Sequence, residues 1–150
     1  RPTVGRGSMY DTILCPTDGS DGSDAAVEHA CYPAELADAR IDALFVVDEL
    51  IAGADEWDTV VEREEARGER AVEAVVVSAA ESDGIDVETV RSIGLPAEEI
   101  VETIRAEGAD LVVMGTNGRT GLGRFLAAGS VTERVVRHSE VPVMTVRLRE

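Results

Sequence analysis

Five short apolar runs recur along this 150-residue chain, separated by stretches that carry helix signals. The runs are Tyr10 to Pro16, Ile41 to Val47, Ile85 to Ile93, Ala109 to Met114 and Val141 to Leu148. The first and fourth are continuous, as strands buried on both faces are. The third alternates Ile85, Val87, Thr89 and Arg91 with polar neighbours, as a more exposed strand does. Between the runs, an Ala-rich helix is predicted after Ser23, and a long one from Asp58 to about Asp83. A third is opened by Gly94-Leu95-Pro96 and stopped by Gly108, and a fourth spans Ser130 to Ser139. Strands alternating with helices predict an α/β fold: a doubly wound five-stranded parallel sheet with helices on both faces. Right-handed crossovers and a two-halves pattern give the strand order 3-2-1-4-5.

Local signals sharpen this outline. Ser23 is a suitable N-cap. Pro33 should kink or end the first helix, because an interior proline costs about 3 kcal/mol. In the second helix Val72, Val75, Val76 and Ala79 form an inward stripe, and the run Glu62-Arg63-Glu64-Glu65 is its solvated face. Ile100, Val101 and Ile104 face inward from the third. Cys15 and Cys31 make no disulfide framework, and Cys15 is a small core residue. His29 and His138 are isolated on predicted helices, with no metal-ligand spacing, and are expected to be surface or packing residues rather than catalysts. Residues 1–8 lack periodicity and are expected to be a disordered leader or an expression remnant, leaving 9–150 as one domain.

Charge narrows the partners. The formal net charge is -16, and all 14 basic residues are arginine. Such a field repels nucleic acid and anionic membranes, so neither is an expected partner. The apolar runs are too short to span a bilayer, and no secretory signal is visible, which predicts a cytoplasmic protein. Abundant acid without lysine resembles the proteome bias of salt-loving archaea.

The stretch from Met114 to Ser130 places five glycines (115, 118, 121, 123 and 129) between the fourth strand and a helix start. Glycine allows close backbone approach, and a helix N-terminus offers unpaired N–H groups with partial positive charge. Together these make a phosphate cradle. It is not a Walker A loop, which requires a lysine. Gly121 and Gly123 begin a dinucleotide spacing, but Leu126 stands where the third glycine belongs. The competing explanation is purely structural: a turn, followed by a Ser130-x-x-Glu133 capping box.

In a doubly wound sheet ligands lie at the carboxyl ends of the strands, where the winding reverses. Here that point falls between the first and fourth strands. Pro16-Thr17-Asp18 therefore meets Met114-Gly115 in one crevice. Gly115, Gly118 and Gly129 would offer N–H groups and clearance, Ser130 its hydroxyl, and Arg119 and Arg124 local positive charge. Asp18 suits a ribose hydroxyl or a base amino group; its structural alternative is an Asx turn.

These residues resemble the universal stress protein family over nearly the whole chain, from Met9 to Arg147. The family's ATP-binding subgroup carries Gly-x2-Gly-x9-Gly-Ser/Thr after the fourth strand and an Asp in a Pro-Thr-Asp-like turn after the first. The matching positions are Pro16, Thr17 and Asp18; Met114, Gly115, Asn117, Gly118 and Arg119; and Gly129, Ser130, Val131 and Thr132. Val46, in Phe45-Val46-Val47-Asp48, matches a position that touches adenine. The resemblance implies ATP bound with Mg2+ or Mn2+ on its phosphates, and a homodimer paired through the last strand. The chain departs from the pattern in two places. Ten residues, not nine, separate Gly118 from Gly129, and Pro33 interrupts a helix that normally runs on.

The function expected is a nucleotide-dependent stress-response or signalling switch. Two alternatives stand beside it: a slow ATP hydrolase, for which no general base is evident, and an interaction module of the same fold without nucleotide.

Overall fold

The computed structural model describes residues 9–18, 21–48, 57–81, 84–116 and 129–147. The strands are β1 (Thr12–Pro16), β2 (Arg40–Asp48), β3 (Val87–Gly94), β4 (Leu111–Gly115) and β5 (Val143–Val146). They form one sheet of order β3-β2-β1-β4-β5. Every neighbouring pair is parallel, as expected. Among the described residues the helices are α1 (Asp21–Ala37), α2 (Trp57–Ala80), α3 (Pro96–Glu107) and α4 (Gly129–His138).

Strand alternation divides the core into two layers. On one face Ile13, Cys15, Ile41 and Ala43 pack with Ala26, Ala30 and Ala34 of α1 and Val75 and Ala79 of α2. On the other, Leu14, Leu44 and Val112 pack with Ile100 and Ile104 of α3 and Val135 of α4. Small alanines on α1 let that helix lie close to the sheet, which suits a chain with few aromatics. Cys15 and Cys31 are both buried and form no disulfide with each other. Burial, and Cys31 nearby, push the Cys15 thiol up to about 12, so it stays protonated and serves as packing. His29 and His138 are exposed on α1 and α4, as expected.

Four local expectations need correction. α1 starts at Asp21, so Ser23 lies inside its first turn rather than capping it. Ser20, Asp21 and Ser23 are all cap-forming types, and composition does not choose between them. α1 also runs through Pro33 to Ala37, so the proline does not end the helix. Buried contacts flank the proline on both sides, at Ala30, Cys31 and Ala34, and hold the helix together across the missing hydrogen bond. Val76 is exposed, because the inward stripe of α2 runs through Ala71, Val75 and Ala79. Glu64 is buried rather than solvated, and it is paired with Arg67.

Two helices end at residues with positive φ. α1 stops where Asp38 adopts a positive φ of 56°, and the Ala39 N–H donates back to the Ala34 carbonyl at 2.9 Å. α3 stops at Gly108, whose φ of 66° is the left-handed conformation that glycine adopts without a Cβ penalty. The expected leader lies outside the described residues.

Candidate functional site

Parallel pairing of β1 with both β2 and β4 brings three strand ends to one edge of the sheet. Beyond β1, the buried Thr17 donates its N–H to the Leu44 carbonyl of β2 at 2.8 Å. Beyond β4, Thr116 donates its N–H to the Val146 carbonyl of β5 at 3.0 Å. α4 returns over this edge, and its Thr132 hydroxyl lies 3.5 Å from the Gly115 carbonyl. One tether thus joins the start of α4 to the end of β4, although the long connection between them is not described.

Side-chain packing gathers the same elements. Val46 of β2 and Val131 of α4 are half-buried against the cluster that contains Met114 of β4. All three thus belong to the layer on the α3/α4 face, and β1, which ends at Pro16, runs between β2 and β4. Of the residues singled out from sequence, Pro16, Thr17, Asp18, Val46, Met114, Gly115, Val131 and Thr132 converge on this edge. Gly129 and Ser130 form the first turn of α4 there. Because the helix begins at Gly129, Ser130 lies inside that turn instead of preceding it. Asn117, Gly118, Arg119 and Arg124 lie outside the described residues, as does the additional residue between Gly118 and Gly129.

Sequence reasoning missed Arg67. From α2 it donates through Nη1 to the main-chain carbonyl of Asp18 at 2.7 Å. Its guanidinium lies over the Phe45 ring, 4.9 Å from the centroid, and pairs with Glu64. A signal for it was present. Gly68 interrupts an otherwise good helical pattern, and an isolated helical glycine usually has a packing reason. A Cβ at that position would fall 2.2 Å from the Phe45 ring, so α2 must lie directly on β2 there.

A cavity of about 610 Å³ lies at the opposite, amino edge, lined in part by Asp11, Asp38, Arg40, Asp86 and Glu88. Four carboxylates against one guanidinium make it repel anions. The side chain of Arg40 is also engaged by Asp42, at 2.8 and 3.2 Å.

Comparison with known proteins agrees with this topology. A model of the universal stress protein family matches residues 9–147. The chain belongs to the universal stress protein family. With universal stress protein MJ0531 of Methanocaldococcus jannaschii it shares 40% identity over 144 residues, covering 93% of this chain and 84% of that protein. Universal stress protein UspA from Lactobacillus plantarum is similar in structure, with a TM-score of 0.77 and 30% identity over 92% of this chain and 98% of that one. A universal stress protein solved in complex with cAMP has a TM-score of 0.68 and 26% identity, covering 93% of this chain and 98% of that one. Within this universal stress protein, no helix among the described residues is long and apolar enough to cross a membrane.

Proposed function

We propose that this chain binds an adenine nucleotide at the carboxyl edge, with ATP carrying Mg2+ or Mn2+ as the physiological form. One observation carries the reading. The Thr17-Asp18 turn and the Gly115–Thr132 junction lie at the same edge, on either side of neighbouring strands. A relative of the same fold is solved with cAMP, itself an adenine nucleotide. Val46, Met114 and Val131 supply an apolar surface suited to a base. Asp18 suits the ribose, and Gly115, Asn117, Gly118, Arg119, Gly129, Ser130 and Thr132 suit the phosphates. Among the described residues no group of three or more His, Cys, Asp or Glu is arranged to hold a metal, so the reading puts the cation on the phosphates. The protein would act in the cytoplasm as a stress-response switch, with nucleotide biasing a partner surface.

Titration calorimetry of ATP into the metal-supplied protein at high salt tests this. Saturable binding is expected, weakened at least about tenfold in Asp18→Ala with little change in thermal midpoint, as the loss of one charge-assisted contact predicts. No saturable heat from the wild-type protein would sink the reading.

The same reading includes a homodimer through β5. This strand lies at the edge of the sheet and exposes Met144, a combination that invites pairing with a second copy. Sedimentation at micromolar concentration should give a dimer; a monomer throughout would remove this part.

A further inference from the structure

We infer that Arg67 is the positioning residue of the nucleotide site, bracing the Thr17-Asp18 turn from α2 and thereby linking α2 to site occupancy. The inference rests on the nucleotide reading above. Three contacts converge on one guanidinium. Nη1 holds the Asp18 carbonyl at 2.7 Å. The Phe45 ring supports one face at 4.9 Å. Glu64, one turn earlier on α2, takes hydrogen bonds from Nε and Nη2. A planar fork can satisfy all three demands at once, whereas an ammonium cannot stack in this way.

The origin of each contact gives the brace its meaning. Asp18 follows β1, Phe45 belongs to β2 and precedes Val46, and Glu64 belongs to α2. Arg67 therefore ties together the turn assigned to the ribose, the strand assigned to the base and a helix on the opposite face of the sheet. Gly68 sets the distance, since its missing side chain leaves α2 seated on Phe45. The pairing with the buried Glu64 offsets the guanidinium charge. Arg67 thus acts through the geometry of the turn and not as a charge for phosphate. Ligand pulling on the turn would be felt at α2 through the same hydrogen bond.

Arg67→Gln tests the assignment. Glu64→Gln/Arg67→Gln serves as a companion that leaves no buried carboxylate stranded if the single variant folds poorly. Adenosine, AMP and ATP are each titrated with metal. The expected result is a loss of about tenfold, alike for all three, because the defect lies in the turn. A loss that increases with the number of phosphates would overturn the brace in favour of direct phosphate contact. Hydrogen exchange is then compared without ligand, in peptides covering Thr17 and Asp18. Faster exchange in the variant is expected, and unchanged exchange would overturn the inference. If the wild-type protein binds none of the three ligands, the nucleotide reading falls and exchange alone decides the brace. With ligand bound to wild type, slower exchange at both Asp18 and residues 64–68 is expected; slowing at the turn alone would disprove the link to α2.

Discussion

The two edges of the sheet use polar residues in opposite ways. At the amino edge they are closed on one another. Asp110 accepts the N–H groups of Asp11 at 2.8 Å and Thr12 at 3.0 Å. Arg40 and Asp42 form a two-point pair, with Asp42 fully buried. At the carboxyl edge the strands end in Pro16-Thr17-Asp18 and Gly115-Thr116, and the polar contacts go largely to main-chain carbonyls, as with Arg67 on Asp18 and Thr132 on Gly115. The first arrangement fixes where strands begin. The second holds backbone just beyond the ends of β1 and β4. A charged residue in a sheet is thus informative only once its partner is known, as Arg40 is for the buried Asp42.

The contrast can be broken most severely at Gly68. Gly68→Ala adds a methyl group that would lie 2.2 Å from a ring that is itself only 2% exposed. Alanine favours a helix by about 1 kcal/mol over glycine. Overpacking should outweigh that and leave a net loss of about 2 kcal/mol in urea unfolding. Because Arg67 moves with the helix, nucleotide affinity should fall as well. Unchanged stability would mean that Phe45 can yield.

Asp110→Ala sharpens the difference from the other side. It removes the acceptor of two backbone donors, of which only the Thr12 N–H is shielded from water, and should cost about 1 kcal/mol in the same assay. Nucleotide affinity should be unaltered, since the residue sits at the wrong edge. An affinity loss comparable to that of Asp18→Ala would show that the edges are not functionally separate.

The smallest expected effect is a pH slope. Burial raises the Asp42 carboxyl above its ordinary range, more than Arg40 lowers it. Between the unfolded value of about 3.9 and the raised folded value, the native state holds a proton that the unfolded chain has released. Stability from this group is therefore fully present below the unfolded value and declines as pH rises through the window. Asp42→Asn lacks the titration, so its stability deficit should be largest at the acid end and shrink with rising pH. Urea midpoints across that range check the sign, and a deficit that grows with pH would refute it.

Much of the fold was legible because burial on two faces writes itself into a chain as apolar runs, and crossover handedness leaves few orders for five such strands. Pro16 to Asp18 and Met114-Gly115 could be assigned to one edge for the same reason. Pro33 and Glu64 were not legible, and around Arg67 only the close approach of α2 at Gly68 left a sign in the sequence. A proline's cost is local, but the contacts that offset it come from β1 and β4. The carboxylate of Glu64 belongs to a charge run in sequence and to a buried pair in space. Arg67 lies 49 positions from the carbonyl it holds, and no period or motif connects them.

The order of apolar and helical segments determined the architecture by itself, because that pattern depends on neighbours along the chain. Tertiary structure decided which polar groups are buried or paired and which main-chain atoms they hold. That choice depends on partners brought from distant segments, and hydrogen bonding is sensitive to fractions of an ångström that one-dimensional spacing does not encode.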